Sequence, residues 1–274
     1  MFLTACIQLR CTTEMERNFQ ALEHHCLQAS KYGAQLIATP ENSIFLGPQF
    51  HKVDLAQSLQ GSNVQRLQAL AAKCKAYLLV GSIPEERILP DGTKDANRCY
   101  NTSILLSPTG ELICSYRKIH LFDVDIPGGL SIAESDTISP GSDIVVGETP
   151  LAKIGMSICY DLRFPELYRA HMDQGADILA IPSAFTLTTG KDHWHALLRA
   201  RAIETQCWVL APAQWGTHDA EGKRKSYGHS LIIDPWGTIV GDKGDGEGMC
   251  LAEIDLDYTA QVRQSIPLRN HRRI

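Results

Sequence analysis

The sequence predicts an α/β fold. Short apolar runs rich in β-forming residues recur along the chain, and amphipathic windows with helical spacing separate several of them. One pattern, in which a helix end is followed by a buried strand and a proline exit, occurs twice, at 33–41 and 175–183. The length of 274 residues is enough to bury a large core in a single unit. We therefore expect one domain over residues 1–274. The repeated pattern suggests two similar half-units within it, and the alternative is a chance recurrence, since helix–Gly–strand joints are common.

In the first half of the chain, apolar runs and helix signals alternate. A helix is predicted to open at Thr13, where the order Thr13-Glu14-Met15-Glu16 has the form of a capping box, and to stop at Gly33. The other elements predicted here are strands at 2–9, 36–38 and 77–83, a helix at 63–75, and a hairpin of 102–107 with 111–118.

The second half repeats this alternation. A helix is predicted to begin at Pro165, because proline suits the first helical turn, and a longer helix is predicted at 191–206. The remaining predicted elements are strands at 151–159, 177–181, 207–213 and 249–254 and a hairpin at 231–240. Since α/β sheets bind ligands at the carboxyl ends of their strands, residues that follow strands are candidate site residues.

Composition excludes several classes of function. The balance of 26 Lys and Arg against 31 Asp and Glu gives no electrostatic reason to expect a nucleic acid or an anionic membrane as partner. Nine cysteines without regular spacing, and no C-x-x-C pair or His-rich tract, predict neither a disulfide framework nor a metal site. The N-terminus reads as a strand rather than a leader, and no apolar stretch approaches a membrane span. We expect a soluble protein of the reducing cytoplasm.

Cys159 is a candidate nucleophile. It stands at the predicted end of an apolar strand, where a thiol would be exposed at the edge of a sheet. The helix predicted from Pro165 starts too late for its dipole to ionise this thiol, so a neighbouring base or cation must activate it. A buried structural cysteine is the alternative interpretation.

Three charged residues could complete such a site. Glu41 follows a buried strand and could move a proton, or it could be a solvated loop residue. Lys118, at the end of a hairpin strand, could stabilise an oxyanion or simply protect a sheet edge from pairing. Glu134 lies in a loop with glycine and serine and by itself reads as a surface residue. None of the ten histidines lies in a context that singles it out.

Three segments together resemble the nitrilase superfamily. They are PEN at 40–42, YRKIHLF at 116–122 and GMSICYDLRFPE at 155–166, in the order typical of the superfamily, and the similarity covers almost the whole chain. The resemblance implies a four-layer α-β-β-α sandwich that forms a homodimer or higher homo-oligomer, with no metal and no organic cofactor.

The resemblance also implies a mechanism. Glu41 would be the base, Cys159 the nucleophile, and Lys118 with the backbone N–H of Tyr160 the oxyanion donors. Glu134 matches a fourth acidic residue of the superfamily, which orients the lysine or the substrate. The reaction implied is hydrolysis of a linear amide through a cysteine thioester.

Further segments resemble the amidase branch of the superfamily. KIHLFDVDIPG at 118–128 is shared by enzymes that hydrolyse deaminated glutathione and by ω-amidases, which hydrolyse α-ketoglutaramate. SYGHS at 226–230, DPWG at 234–237 and the tail at 266–273 favour the first group, and RAIETQC at 201–207 fits it.

The same resemblance places three residues around a small-molecule substrate. Arg163, Phe185 and Thr189 would line the pocket for its keto-acid end, and a guanidinium is suited to gripping a carboxylate. A structural ion pair near the helix start is the alternative for Arg163. Deaminated glutathione and α-ketoglutaramate are the two substrates left open, and a non-catalytic binding protein is a third interpretation.

Overall fold

Two six-stranded sheets form the body of the computed structural model, which describes residues 1–125 and 131–273. Part of the segment at 118–128 thus lies outside the described residues. The first sheet is made of β1 (Phe2–Gln8), β2 (Leu36–Ala38), β3 (Tyr77–Ile88), β4 (Lys94–Leu106), β5 (Leu112–Arg117) and β16 (Gly248–Ile254). Its order is β16-β1-β2-β3-β4-β5, and β2 pairs in parallel with both of its neighbours.

The second sheet repeats the topology of the first. Its strands are β8 (Val146–Glu148), β9 (Lys153–Met156), β10 (Ile178–Ala180), β11 (Trp208–Ala211), β14 (Leu231–Ile233) and β15 (Ile239–Asp242). From β8 to β15 the pairings are antiparallel, parallel, parallel, antiparallel and antiparallel, as they are from β16 to β5. In this correspondence β10 matches β2, which confirms the two half-units predicted from 33–41 and 175–183.

Helices cover the outer faces of both sheets. They are α1 (Met15–Lys31), α2 (Gln49–Leu55), α3 (Ser62–Cys74), α4 (Pro165–Asp173), α5 (Leu187–Thr205), α6 (Leu256–Ser265) and α7 (Leu268–His271). Two short strand pairs, β6 (Asp123–Asp125) with β7 (Ser131–Ala133) and β12 (Trp215–Thr217) with β13 (Lys225–Tyr227), stand apart from the main sheets.

Strand alternation sends successive side chains to opposite faces, and this produces the layers. Along β1, Ala5 and Ile7 pack into the core shared with α1 and α3, whereas Cys6 enters the core between the sheets. Trp194 and Leu198 of α5 cover the far side of the second sheet. The four-layer α-β-β-α sandwich is confirmed.

Two local predictions are wrong. Thr13 does not cap α1: the residue before the helix is Glu14, without a side-chain cap, because Asn18 instead holds the Thr12 backbone through its own amide. The strand expected to end at Cys159 stops at Met156, because Ser157 and the residues after it leave the ladder for a 3-10 turn, Cys159–Arg163.

Candidate active site

The turn after β2 buries a carboxylate. Glu41 is only 4% exposed, and the residue that follows it, Asn42, has a positive φ of 59°. Gly81 of β3 allows this turn to approach closely, because a Cβ there would lie 2.1 Å from the Thr39 carbonyl oxygen. Glu41 Oε2 accepts a hydrogen bond of 2.8 Å from the Ala184 backbone N–H, which fixes the carboxylate between the two half-units.

Lys118 lies one residue beyond β5 and is 2% exposed. Its Nζ donates to Glu41 Oε1 at 3.1 Å and to Glu134 Oε2 at 2.8 Å. Asn101 adds a donor to Glu41 Oε1 at 2.9 Å. A buried ammonium that bonds to two buried carboxylates stabilises both of them, and its burial excludes a sheet-edge role for the lysine.

Glu134 is buried, so its interpretation as a surface residue is wrong. It begins the 3-10 turn Glu134–Asp136 and is 2% exposed. The Phe122 backbone N–H donates to its Oε2 at 2.7 Å, in addition to the bonds from Lys118. The loop composition gave no sign of burial, because the partners come from a segment more than ten residues away.

Cys159 opens its 3-10 turn in a left-handed conformation, with φ of 49°. Such a conformation is costly for a residue other than glycine and is often found at functional sites. The Cys159 N–H donates to the Pro182 carbonyl at 2.9 Å, and the Glu41 carboxylate is close enough to raise the pKa of the thiol. The Tyr160 N–H donates to no acceptor among the described residues and borders the same cavity.

A buried aspartate that the sequence did not single out supports this turn. Asp161 Oδ2 accepts from the Tyr116 hydroxyl at 2.7 Å and from the Ile158 N–H at 2.8 Å. Its Oδ1 lies 2.7 Å from His120 Nδ1 and 3.0 Å from the His120 N–H. Asp161 thus ties the segment that carries Cys159 to the segment that carries Lys118.

The charges of the site set its resting protonation state. Burial raises the pKa of the Glu41 carboxyl, but the positive charges of Lys118 and Lys52 outweigh burial and hold that pKa below its ordinary value. Burial and the adjacent Glu41 raise the pKa of the Cys159 thiol well above its ordinary value. Burial lowers the pKa of Lys118, but Glu134 and Glu41 outweigh it and the pKa ends well above normal. The resting site therefore holds a neutral thiol beside an ionised carboxylate.

A cavity of about 580 Å³ opens onto this cluster, within the usual size range for small-molecule sites. Arg163, Phe185 and Thr189 all line the cavity, together with Glu41, Lys118, Glu134 and Cys159. The Arg163 guanidinium lies 5.3 Å from the Phe185 ring centroid and 3.4 Å from His193 Nδ1. No carboxylate within the described residues pairs with Arg163. The alternative interpretation of Arg163, a structural ion pair near the helix start, therefore finds no partner among these residues.

Four further cationic side chains line the cavity and were missed from the sequence. Lys52 comes from α2, and Lys223, Arg224 and Lys225 come from the loop and strand that close the β12–β13 hairpin. The two lining carboxylates that the structure describes, Glu41 and Glu134, are both paired with Lys118. The cavity is therefore positively charged although the whole chain carries a formal net charge of −5.

The carbon-nitrogen hydrolase family matches residues 3–264. The chain belongs to this family. The prediction of a hydrolase acting on carbon–nitrogen bonds is thereby confirmed, and so is membership of the superfamily that the three motifs resemble.

Curated relatives match this hydrolase over nearly its full length. A deaminated glutathione amidase from Synechocystis is 41% identical over 273 residues, which cover 99% of this chain and 98% of the relative. The omega-amidase NIT2 of Xenopus tropicalis is 40% identical over 248 residues, covering 90% of this chain and 86% of that one.

Solved structures share the architecture of the hydrolase. The NitFhit protein of Caenorhabditis elegans has a TM-score of 0.90 at 38% identity; the alignment covers 99% of this chain, which spans 65% of that one. Nit3 of Saccharomyces cerevisiae, a member of branch 10 of the nitrilase superfamily, has a TM-score of 0.87 at 33% identity, with 100% and 97% covered.

One group of side chains outside the cavity has atoms arranged as metal ligands. His195, His229 and Asp242 each place one ligand atom within 4.8 Å of the others. His229 Nδ1 also lies 3.1 Å from Asp242 Oδ1, so these residues already form an ion-pair cluster when the histidines are protonated. Within residues 1–125 and 131–273, no helix of the hydrolase is long and apolar enough to cross a membrane.

Proposed function

We propose that this hydrolase cleaves the amide bond of deaminated glutathione, releasing 2-oxoglutarate and cysteinylglycine, as a metabolite-repair reaction. The observation that carries the proposal is that a thiol, a carboxylate and an ammonium line one positively charged cavity, with the carboxylate bonded to the ammonium and acting on the thiol. A substrate with two carboxylates suits such a cavity. The similarity to the Synechocystis deaminated glutathione amidase along almost the whole chain supports the same substrate.

The reaction would proceed through a thioester on Cys159. Glu41 accepts the thiol proton as sulfur attacks the amide carbonyl carbon, and Lys118 with the Tyr160 N–H stabilises the oxyanion. The tetrahedral intermediate collapses, the C–N bond breaks, and Glu41 returns the proton to the departing amine. Glu41 then takes a proton from water, which attacks the thioester and releases 2-oxoglutarate and the thiol. Glu134 keeps Lys118 in place throughout.

The resting protonation state agrees with this role for Glu41. A thiol with a raised pKa is a poor nucleophile until a base accepts its proton, and the ionised Glu41 beside it is such a base. Lys118 remains charged, so a positive charge is present where the oxyanion would form. The chemistry needs neither a metal nor an organic cofactor.

We assign the keto-acid end of the substrate to Arg163, Phe185 and Thr189. The guanidinium of Arg163 has no carboxylate partner within the part of the chain that the structure describes, and it faces the cavity beside an aromatic ring. A carboxylate there would complete a charge-assisted, bidentate hydrogen-bond pair.

The alternative is an ω-amidase that hydrolyses α-ketoglutaramate to 2-oxoglutarate and ammonia, which the similarity to omega-amidase NIT2 favours. The test is kcat/KM for deaminated glutathione, α-ketoglutaramate and a simple aliphatic nitrile. We expect deaminated glutathione to be preferred over α-ketoglutaramate by at least about 10-fold, because remote binding groups contribute to the transition state. An equal or reversed preference would favour the ω-amidase. Absence of any turnover would support a non-catalytic binding protein instead.

We further propose a cytoplasmic homodimer. All nine cysteines are free, which suits a reducing compartment. Ile203 of α5 is 47% exposed and lies against Gly237, the residue that follows the 53% exposed Trp236. Exposed large apolar side chains in one region suit an interface between two copies of the chain. Sedimentation velocity on the wild type and on Trp236→Glu tests this, since the variant should be monomeric.

A further inference from the structure

Helix α2 presents two polar side chains to the cavity. Gln49 and Lys52 are three residues apart, so they lie on one face of the helix, and both line the cavity. Lys52 is 6% exposed, which is unusual for a lysine without a partner. Neither residue belongs to a motif of the sequence, and Lys52 enters the reaction described above only through the effect of its charge on the pKa of Glu41.

Lys52 is a cation without a direct ion pair. No carboxylate lies within 4.0 Å of its Nζ and no hydrogen bond holds it, as far as the described residues show. The negative charges that act most strongly on it are those of Glu134 and Glu41, and both of these carboxylates bond directly to Lys118 instead. Burying an unpaired ammonium costs free energy, and an anion that enters the cavity would offset this cost.

Gln49 adds an unused acceptor beside this cation. Its Oε1 is buried and receives no hydrogen bond from any residue that the structure describes. A buried amide oxygen of this kind normally has a donor. A ligand that brings both an anion and an N–H group would therefore supply a partner for Lys52 and a partner for Gln49.

Lys52 and Arg163 reach the cavity from different half-units. Lys52 lies on α2, and the charges of Glu134 and Glu41 act on it. Arg163 lies in the 3-10 turn after β9 and contacts Tyr160, Phe185 and His193. A substrate with two carboxylates would have one cation for each of them.

We propose that Gln49 and Lys52 form a subsite for the leaving group, in which Lys52 binds a carboxylate of the departing amine and Gln49 accepts one of its N–H groups. This inference rests on the proposed function. With Arg163 on the keto acid, deaminated glutathione would place its glycine carboxylate on Lys52 and its glycine amide N–H on Gln49. Ammonia, the leaving group from α-ketoglutaramate, would leave this subsite without a ligand.

The experiment compares two substrates that differ only in charge at the leaving group. One is deaminated glutathione, and the other is its glycinamide analogue, in which a neutral amide replaces the glycine carboxylate. We expect the wild type to lose about 10- to 100-fold in kcat/KM on the analogue, as for the loss of a hydrogen bond to a charged group. In Lys52→Met the two substrates should differ by less than about 3-fold, because the cation that discriminates between them is gone. Lys52→Arg should restore part of the discrimination.

A matched control is available on the surface. Lys73 of α3 pairs only with Glu23 and is exposed, so Lys73→Met should keep the wild-type ratio between the two substrates. Gln49→Leu should lower kcat/KM for both substrates, because each retains the glycine N–H, and the ratio should persist. Far-ultraviolet circular dichroism checks that each variant is folded.

The outcomes separate the subsite from the proposed function. If the wild type hydrolyses deaminated glutathione but does not distinguish it from the glycinamide, the subsite is wrong and the function stands. If Lys52→Met weakens both substrates equally and keeps their ratio, Lys52 acts on the charges of Glu41 and Lys118 and the subsite is also wrong. If the wild type hydrolyses neither substrate, both the proposed function and the proposed subsite are wrong.

Discussion

Replacing Lys118 by methionine removes the one ammonium that bonds directly to two buried carboxylates. Lys118 Nζ contacts Glu41 Oε1 and both oxygens of Glu134, and all three side chains are nearly inaccessible to solvent. Removing one partner of a buried ion cluster costs about 3–5 kcal/mol, because the remaining charges are left unpaired. For a chain of this size, that corresponds to a melting temperature about 10 °C lower. The loss should shrink as the pH falls, because protonation of one carboxylate relieves the repulsion.

The same variant should lose activity for a separate reason. If Lys118 stabilises the oxyanion, its removal lowers kcat by about 10²- to 10³-fold. Calorimetry and steady-state kinetics on one preparation measure both effects. The matched control is the quadruple variant Lys52→Met, Lys118→Met, Glu41→Gln, Glu134→Gln, which removes the buried charges together. It should recover most of the stability, since a neutral buried set carries no unpaired charge, but none of the activity.

The two measurements can contradict the reasoning independently. A Lys118→Met protein with a melting temperature within about 2 °C of the wild type would show that Lys118 does not stabilise the two carboxylates. Near-normal kcat in a folded Lys118→Met protein would remove the lysine from the oxyanion site.

Three further predictions concern the thiol, the base and the substrate carboxylate. Cys159→Ala should abolish turnover while leaving the melting temperature within a few degrees, because little buried volume is lost; retained activity above a trace in this variant excludes a thioester. The charges of Lys118 and Lys52 outweigh burial and lower the pKa of Glu41. We therefore expect kcat/KM to stay level as the pH falls to about 5. It should decline only when the pH passes below 4.5, the ordinary pKa of a glutamate, where the carboxylate gains its proton. A pH profile with an acid limb between 6 and 7 would contradict this. Arg163→Ala should lower kcat/KM about 100-fold for both deaminated glutathione and α-ketoglutaramate, since they share the keto-acid carboxylate; a loss confined to one substrate would mean that the two are not held alike.

Local sequence signals predicted much of the fold because most strands are specified by their own residues. The strand at 36–38 was predicted with the bounds that β2 has, and the turn at 107–110 joins β4 and β5 as expected. The repeated pattern at 33–41 and 175–183 revealed the two half-units, because Gly33 and Gly175 both end helices with a left-handed φ. The sandwich itself came from the resemblance and not from periodicity.

The parts of the site that the sequence missed depend on tertiary contacts. Lys52 lies on a helix of seven residues that has no strong apolar pattern, so neither the helix nor the burial of the lysine could be anticipated. Asp161 lies within the motif around Cys159, but its partners Tyr116 and His120 belong to another segment. The strand before Cys159 was predicted too long because Ser157 and Ile158 are as buried as strand residues while lying outside the sheet.

The division of the site between the two half-units affects how the protein matures. Glu41 and Lys118 precede β8 in the chain, whereas Cys159 follows β9, so the proposed base and cation leave the ribosome before the proposed nucleophile does. Domains fold from the N-terminus during synthesis, and here the thiol meets its base only when the second sheet has packed on the first. In the proposed mechanism, a chain whose second sheet has not yet packed therefore has no base beside its nucleophilic thiol. In this mechanism, the protein can hydrolyse its substrate only after the two sheets have packed together.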